Sequence, residues 1–322
     1  MIDRAEITAR TERIYEEKRL ENMRLREQRT AEVSEILPEY ARLDREISEN
    51  GFKLVSLAAK GRRGTDEYRS AEEKLEELGR KRDAVLTGGG FPADYIDGCF
   101  SCSKCGDTGR IKDPDGLPML CDCYREISSR IILEESGLPV KKGFEAFDAK
   151  VFAESDRPEA EKLLRDSQEF VNDFDNARSR LFFGKAGIGK TYLASLIGTE
   201  LAKKGVYTVY VTVPHLMQTL LYYGDDDKMR EKRDRLYEIV HSADLLILDE
   251  LGTERMTAAR QDMLEVIIDG IVNDPSRKCI VISNLDTREM MSAYGERMFS
   301  RLASMKIVKF NLPATGDLRI KF

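Results

Sequence analysis

The residues Gly184-Lys185-Ala186-Gly187-Ile188-Gly189-Lys190-Thr191 follow a short apolar run from Arg180 to Phe183 and precede a helical pattern from Tyr192 to Lys203. The order is strand, glycine-rich loop and helix. Glycines let successive backbone N–H groups turn inward, and a helix N-terminus adds partial positive charge, so this arrangement is typical of a loop that cradles nucleotide phosphates. We expect ATP here, with Lys190 at the β- and γ-phosphates and Thr191 as a ligand of Mg²⁺. The predicted nucleotide contacts are Gly184, Lys185, Ala186, Gly187, Ile188, Gly189, Lys190, Thr191 and Tyr192.

Two further strands are predicted to bring catalytic side chains to this loop. The first, Asp244 to Glu250, is an apolar run that ends in two acids. We expect Asp249 to hold the water shell of Mg²⁺ and Glu250 to polarise the attacking water as a general base. The second runs from Cys279 to Ile282 and leads to Asn284. An amide at this sheet edge can orient the water, although it could also simply end the strand.

Two arginines follow at helical spacing. Arg297 and Arg301 are four residues apart, so they share one face of a helix. One or both could reach the γ-phosphate on a neighbouring subunit and stabilise transition-state charge, which is the role of an arginine finger. The alternative is an ordinary solvated or salt-bridged pair.

Five of the six cysteines fall between Cys99 and Cys123. Zn²⁺ takes four thiolates in a tetrahedron at about 2.3 Å, and two close pairs at the ends of a loop supply them. The predicted zinc ligands are Cys102, Cys105, Cys121 and Cys123. Cys99 could replace a neighbour or remain a free thiol. Four thiolates leave no open position, so we expect a structural site; a disulfide and an iron–sulfur cluster are the alternatives.

The residues before the cysteines predict long charged helices. Apolar residues recur at helical spacing, and the pattern is expected to restart at Pro38 and to break at Asn50-Gly51 and then at Gly61-Arg62-Arg63-Gly64. A second helix is expected after a cap at Thr65 or Asp66. The three glycines at 88–90 then end this helical arm or helical hairpin. The arm could contact a partner or act as a solvated spacer.

Composition limits the class of protein. A chain of 322 residues with 41% hydrophobic residues suffices for one full α/β domain and a smaller one. The first ten residues mix acids and bases without an apolar run, so we expect no signal peptide, no membrane contact and a cytoplasmic location. The net charge of −6 argues against a surface that binds nucleic acid as a whole and leaves a local contact open.

Together these motifs resemble the bacterial replicative helicase loaders of the DnaC and DnaI type and the related IstB-type transposition helper ATPases, all AAA+ proteins. The resemblance covers roughly residues 99 to 310. Besides the motifs above, it includes Cys-x2-Cys-Gly-Asp-Thr-Gly at 102–109, Phe144-x2-Phe147, Leu-Asp-Glu-Leu-Gly-Thr-Glu at 248–254 and Tyr-Gly-Glu-Arg-x2-Ser-Arg-Leu at 294–302. It implies Walker A at 184–191, Walker B at Asp249 and Glu250, sensor 1 at Asn284, and an arginine finger at Arg301 supported by Arg297.

The resemblance implies an α/β fold, an AAA+ P-loop NTPase with a parallel sheet flanked by helices. The expected divisions are a charged helical arm at 1–87, a zinc-binding module at 91–140, and an AAA+ ATPase domain at 145–322. The arm is longer than in these loaders. The helical lid of a typical AAA+ module is expected to be absent, which leaves Arg319 as the candidate for the second sensor.

The function implied is that of an ATPase that places a replicative hexameric helicase on single-stranded DNA. ATP, Mg²⁺ and Zn²⁺ are the expected cofactors. The zinc module and the arm would contact the helicase, and Arg301 would couple hydrolysis to a homo-oligomer. One alternative is an IstB-type helper that binds DNA and a transposase. Another is an adaptor that binds nucleotide without hydrolysing it.

Overall fold

The computed structural model describes residues 1–253 and 257–320 of the chain. Its helices and strands, in chain order, are α1 Arg4–Ile36, α2 Pro38–Ala59, α3 Asp66–Gly88, β1 Arg110–Lys112, β2 Pro118–Leu120, α4 Asp122–Glu135, α5 Arg157–Asn172, β3 Arg180–Phe183, α6 Lys190–Lys203, β4 Thr208–Thr212, α7 Val213–Leu220, α8 Asp227–Ser242, β5 Leu245–Leu251, α9 Ala258–Val272, β6 Lys278–Ser283, α10 Thr287–Ser304 and β7 Lys306–Lys309.

These elements form two compact units. One contains residues 1–11 together with the described residues from 122 onward, and the other contains residues 12–121. The predicted domain divisions at 1–87, 91–140 and 145–322 stay a prediction.

The first unit is built on a five-stranded sheet in the order β4-β5-β6-β3-β7, and every neighbouring pair of strands is parallel. A parallel sheet with helices between its strands confirms the predicted α/β class. The three inner strands β5, β6 and β3 are mostly apolar and almost wholly buried, as expected for a sheet covered on both faces. Because all five strands run the same way, the segments that follow β3, β5 and β6 meet at one edge of the sheet, where ligands of such folds bind.

One hydrophobic core cluster holds this sheet to helices α5 and α6. Helix α6, which follows the glycine-rich loop, is buried over most of its length and joins β3, β5, β6 and α5 in one cluster. The fully buried members include Phe182, Leu196, Ile197, Leu201, Leu245, Ile247 and Ile280. The loop therefore starts and ends on elements that are fixed by core packing.

Strand β5 carries an irregularity at its acidic end. Leu248 is paired with Val281, whereas Leu251 is paired with Ser283, so β5 has one more residue than β6 over this interval. The extra residue is accommodated at Asp249 and Glu250, and Glu250 has a positive φ of 62°. Bulges of this kind re-aim side chains and are frequent beside active sites.

The first residues of the chain also belong to the sheet-bearing unit. Ile2 and Ile7 are buried, and the hydroxyl of Tyr207 donates a hydrogen bond to the carbonyl of Ile2 at 2.6 Å. Arg4 forms an ion pair with Asp244, just before β5, at 2.5 Å. The sequence pattern predicted helix α1, but it did not indicate that the first residues would contact Tyr207 and Asp244.

The second unit contains most of α1, the helices α2 and α3, and the hairpin of β1 and β2. The chain restarts its helix at Pro38 as predicted, and Thr65 caps α3 by accepting a hydrogen bond from the Tyr68 amide at 3.3 Å. Helix α3 ends at Gly88, also as predicted. A small core of Val33, Tyr40, Leu86 and Ile96 packs the helices together.

The predicted break at Asn50-Gly51 is wrong, because α2 continues through both residues to Ala59. A glycine inside a helix costs only about 1 kcal/mol relative to alanine. Burial of Tyr40, Leu43 and Leu57 along α2, which packs on α3, outweighs that penalty.

No helix in the described ranges combines the length and the apolar character needed to cross a lipid bilayer.

The N-terminus of α10 offers a test of the fold. Asp286 accepts hydrogen bonds from the amides of Arg288 and Glu289, and the Glu289 carboxylate accepts one from the Asp286 amide. We expect Asp286→Ala to lower the free energy of unfolding by about 1 kcal/mol, because this capping box is lost. Chemical denaturation measures the change, with the exposed Asp262→Ala on α9 as the control. Equal midpoints for both variants would contradict the capping role.

Candidate functional site

The glycine-rich loop connects β3 to α6 and curls at its glycines. Gly184, Gly187 and Gly189 have φ values of 149°, 74° and 93°, which side chains of L-residues rarely allow. A Cβ atom at Gly184 would lie 2.9 Å from the carbonyl oxygen of Phe310. Gly189 immediately precedes α6, so the amides of the first helical turn face the loop without a capping side chain. This is the geometry of an anion site at a helix N-terminus.

Lys190 lies inside the loop. Its ammonium group donates hydrogen bonds to the carbonyl oxygens of Gly184 and Lys185, at 2.7 and 2.6 Å, and to the side-chain oxygen of Asn284 at 2.8 Å. The structure thus brings together the predicted phosphate-binding lysine and the predicted sensor asparagine, which are far apart in sequence. Asn284 follows β6, the strand next to β3, which explains the proximity.

The electrostatic setting of Lys190 favours an anionic ligand. Burial lowers the pKa of its ammonium group to about 8, and the positive charge of Arg319 adds to this effect, whereas Asp249 opposes it. At neutral pH the ammonium group remains mostly charged, and the carboxylate of Asp249 balances its positive charge only in part. Phosphate oxygens would supply the missing negative charge.

Thr191 and Asp249 form the second half of the site. The Thr191 hydroxyl donates to Oδ2 of Asp249 at 2.7 Å, and Oδ1 accepts the Glu250 amide at 2.7 Å. A hydroxyl and a carboxylate oxygen side by side are the hard oxygen donors that suit Mg²⁺, which binds proteins through few side chains and keeps its phosphate and water ligands. These residues therefore fit the predicted metal.

Tyr210 is an unforeseen member of this group. Its hydroxyl, on β4, donates to the same Oδ2 atom of Asp249 at 2.9 Å. Burial, together with the negative charge of Asp249, raises the pKa of the Tyr210 phenol well above its ordinary value. The phenol therefore stays protonated and acts as a donor.

Glu250 lies beside Asp249 but is exposed, and its backbone adopts the left-handed conformation described above. Such a conformation is uncommon for glutamate and is found where surrounding structure enforces it, often at functional sites. The predicted general base is thus next to the metal-binding acid and open to solvent. Glu254, the last residue of the Walker B motif quoted above, lies outside the described residues.

Residues 315–319 lie against the glycine-rich loop, which the sequence did not predict. The Leu318 amide donates to the Gly187 carbonyl at 2.8 Å, and the Asp317 carboxylate occupies the space that a Cβ atom at Gly187 would need. Arg319 pairs with Asp317 at 2.5 Å. The segment is anchored by Thr315, whose amide and hydroxyl both donate to Asp156 at 2.7 Å.

The two predicted arginine-finger residues are both engaged within their own chain. Arg297 pairs with Glu265 at 3.2 Å, and Arg301 pairs with Asp269; both acids belong to α9. The side chain of Arg297 is 71% exposed and that of Arg301 is 29% exposed. Both arginines are thus paired with acids of their own chain, and the finger role stays a prediction.

The four predicted zinc ligands are brought together. The sulfur atoms of Cys102, Cys105, Cys121 and Cys123 all lie within 4.8 Å of one another. The Cys102 and Cys121 sulfurs are 3.9 Å apart, close to the edge of about 3.8 Å that a zinc–thiolate tetrahedron requires. The donor set and its spacing therefore fit zinc.

The spare cysteine is Cys99, which lies outside the cluster. Its thiol donates to the Ile96 carbonyl at 3.2 Å and accepts a hydrogen bond from Arg29 at 3.5 Å. Spacing alone could not separate Cys99 from its neighbours.

Asp107 organises the loop that carries the first two ligands. It is fully buried, has a positive φ of 55°, and accepts hydrogen bonds from the amides of Ser101 and Cys102 and from the side chain of Asn22. Burial alone would raise the pKa of its carboxyl group, but these hydrogen bonds outweigh burial and lower it. An ionised Asp107 thus fixes the backbone from which Cys102 projects.

A profile of the family described as "IstB-like ATP binding protein" matches residues 124–304, more than half of the chain. The chain belongs to the IstB-like ATP-binding family. The matched range contains the glycine-rich loop, both Walker B acids, Asn284 and the two arginines, but neither the cysteine cluster nor residues 315–319.

Named relatives of this IstB-like protein include helicase loaders. The protein named "Replicative helicase loader DnaC" from Buchnera aphidicola subsp. Acyrthosiphon pisum is 36% identical over 147 residues, which cover 44% of this chain and 57% of that protein. DnaC from Escherichia coli is 28% identical over 143 residues, or 43% of this chain and 56% of that protein. The "Uncharacterized protein YdaV" of Escherichia coli is 38% identical over 122 residues, covering 38% and 47%. The matched region spans about half the length of these relatives.

The solved structures that match this chain have lower sequence identity to it than the DnaC of Buchnera aphidicola. The structure titled "Crystal Structure of the DnaI" matches with 24% identity and a TM-score of 0.44, covering 56% of this IstB-like chain and 93% of that chain. "Crystal structure of the DnaC helicase loader" matches with 22% identity and a TM-score of 0.41, covering 52% and 95%.

The zinc cluster of the IstB-like protein can be tested with matched cysteine variants. We expect the parent to hold about one zinc per chain, Cys105→Ser to lose it because one of four thiolates is missing, and Cys99→Ser to retain it. Elemental analysis of the purified proteins measures zinc content. Zinc loss in Cys99→Ser, or full zinc content in Cys105→Ser, would contradict the ligand assignment.

The tight loop can be tested at Gly187. We expect Gly187→Ala to weaken ATP binding about tenfold, because alanine is strained at positive φ and its Cβ would displace Asp317. Gly316→Ala is the control, since a Cβ there meets open space and φ is not positive. Titration with a fluorescent ATP analogue measures both affinities, and equal weakening would show that the loop geometry is not the cause.

Proposed function

We propose that this chain is an ATPase that loads a ring-shaped replicative helicase onto single-stranded DNA. The observation that carries the proposal is that curated relatives named replicative helicase loader match this chain, whose family profile covers the nucleotide-binding loop. The geometry of that site supports the chemistry, and the cysteine cluster supports the comparison with DnaI-type loaders made from the sequence.

In the proposed reaction, the amides of the glycine-rich loop and of the first turn of α6 hold the triphosphate. Lys190 exchanges its contacts with the Gly184 and Lys185 carbonyls for phosphate oxygens. Asn284, which now accepts from Lys190, is then available to orient water. Mg²⁺, when bound, neutralises charge on the β- and γ-phosphates.

Glu250 acts as the general base. It takes a proton from the attacking water as the new oxygen–phosphorus bond forms and the bond between the γ-phosphorus and the bridging oxygen of ADP breaks. Its exposure leaves room for that water, and it directly follows Asp249 in the chain with an uncommon positive φ. The products are ADP and inorganic phosphate.

Arg301 links hydrolysis to assembly in this proposal. A neighbouring subunit that presents its nucleotide to this face would draw Arg301 from Asp269 to the γ-phosphate, and Arg297 would support it. The isolated chain would then be a slow ATPase. ATP binding would favour side-by-side association on the helicase, and hydrolysis would release the loader once the ring encloses DNA.

The helices of the second unit and the zinc cluster would provide the helicase contact. For the single strand, the sheet-bearing unit offers Tyr223, which is 79% exposed in the segment before α8. Exposed aromatic rings of this kind stack on unpaired bases.

The partner can be tested directly. We expect the purified chain to co-elute with the hexameric replicative helicase of its host in size-exclusion chromatography, more strongly with an ATP analogue than without. Absence of co-elution under both conditions would refute the loader proposal. Salt-sensitive binding to duplex DNA without helicase binding would instead favour a transposition helper.

The chemistry is tested in the same preparation. We expect Glu250→Gln to reduce ATP turnover by about 100-fold or more, because the general base is lost, while ATP affinity is retained. The exposed Glu238→Gln on α8 is the control and should hydrolyse ATP like the parent. A parent without measurable turnover would identify a nucleotide-binding adaptor.

A further inference from the structure

Tyr210 occupies a fixed position beside the acidic end of β5. It lies on β4, opposite Ile247 in the parallel pairing, while Thr212 is opposite Asp249. Side chains two residues apart on a strand share one face of the sheet. The long phenol of Tyr210 therefore runs toward the carboxyl end of the neighbouring strand, and its hydroxyl reaches the carboxylate of Asp249.

The backbone of Tyr210 is itself held from a second side. Its amide donates to the Ser136 carbonyl at 2.7 Å. A Cβ atom at Gly137 would lie only 2.8 Å from the Tyr210 carbonyl oxygen. The turn at residues 136–138 therefore packs closely against this strand. The ring of Tyr210 also packs against the main hydrophobic core. The hydroxyl is thus presented by a rigid side chain.

Asp249 receives three hydrogen bonds, and they differ in kind. Oδ1 accepts the amide of Glu250, the adjacent residue on the same bulged strand. Oδ2 accepts the hydroxyls of Thr191 and Tyr210. Thr191 is also a predicted direct ligand of Mg²⁺, so its hydroxyl would bind the metal when the nucleotide is bound. Tyr210 is the donor that comes from a neighbouring strand and has no other role in the proposed site.

The local backbone explains why such a donor is needed. Asp249 is 3% exposed and sits at a bulge, where the regular ladder of β5 and β6 is interrupted. A carboxylate there is not aimed by strand geometry alone. Groups that hydrogen-bond a metal-binding carboxylate fix its orientation, and their loss typically weakens metal affinity 10- to 100-fold.

We propose that Tyr210 is the positioning residue for Asp249, and that its hydroxyl holds the carboxylate in the orientation used to bind Mg²⁺ with ATP. This inference rests on the proposed function, because it concerns the metal-dependent step of the same nucleotide site. Tyr210 touches neither nucleotide nor metal; it acts through Asp249. Phenylalanine would fill the same volume in the core and would lack only the donor.

The test uses Tyr210→Phe in the full chain. The control is Tyr207→Phe, which removes another buried hydroxyl at the start of the same β4 region, one that donates to the Ile2 carbonyl instead of the site. Binding of a fluorescent ATP analogue is measured in EDTA and across a Mg²⁺ titration, and ATP turnover is measured in parallel. Circular dichroism melting checks that both variants fold.

For Tyr210→Phe we expect the Mg²⁺ concentration at half-saturation to rise about tenfold, with nucleotide affinity in EDTA unchanged. If Tyr210 had a purely structural role in the core, its substitution would weaken nucleotide affinity equally in EDTA and in Mg²⁺. Tyr207→Phe should match the parent in both conditions.

A Mg²⁺ midpoint in Tyr210→Phe within about twofold of the parent would overturn the inference, and so would an equal loss of affinity in EDTA. Failure of the proposed function is a separate result, seen as a parent that neither hydrolyses ATP nor binds the helicase. Because the Mg²⁺ titration reads nucleotide binding, it decides the role of Tyr210 even then.

Discussion

The arrangement of the site depends on the ammonium group of Lys190, which joins the glycine-rich loop after β3 to Asn284 after β6. A buried cation with its pKa lowered to about 8 is costly unless it has acceptors on every side. The two loop carbonyls and the asparagine supply these acceptors and hold the ammonium group inside the loop. The hydroxyl of Thr191, the next residue, donates a hydrogen bond to Asp249 on β5. Lys190 thus links the segments after β3 and β6, and Thr191 adds the contact with β5.

Much of this could be predicted from sequence because the signals are local. The strand, loop and helix around Gly184–Thr191, the acids that end β5 and the amide after β6 are each visible as short patterns. Parallel strand topology then brings their carboxyl ends to one edge. The grouping of Cys102, Cys105, Cys121 and Cys123 was predictable for the same reason, since a tetrahedral thiolate site needs close pairs of cysteines.

What could not be predicted depends on contacts between residues far apart in the chain. Nothing in the sequence of β4 indicates that Tyr210 will lie beside Asp249, because that requires knowing which strands are neighbours. The packing of Asp317 and Leu318 on Gly187 has no sequence pattern at all. The false break at Asn50-Gly51 has the opposite cause: a local signal, the helix penalty of glycine, was overridden by burial along α2. The pairing of Arg301 with Asp269 likewise needed the packing of α10 near α9.

The place of β7 in the sheet has a consequence for biosynthesis. The strand that leads into the phosphate loop is flanked by β6 and β7, and both are made roughly a hundred or more residues after it. The segment at 315–319 that rests on the loop is later still. Pairings so distant in sequence form late. A nascent chain would therefore acquire its phosphate loop early but could not shape it for ATP until synthesis had passed these last elements, so nucleotide binding would mark the completion of this unit.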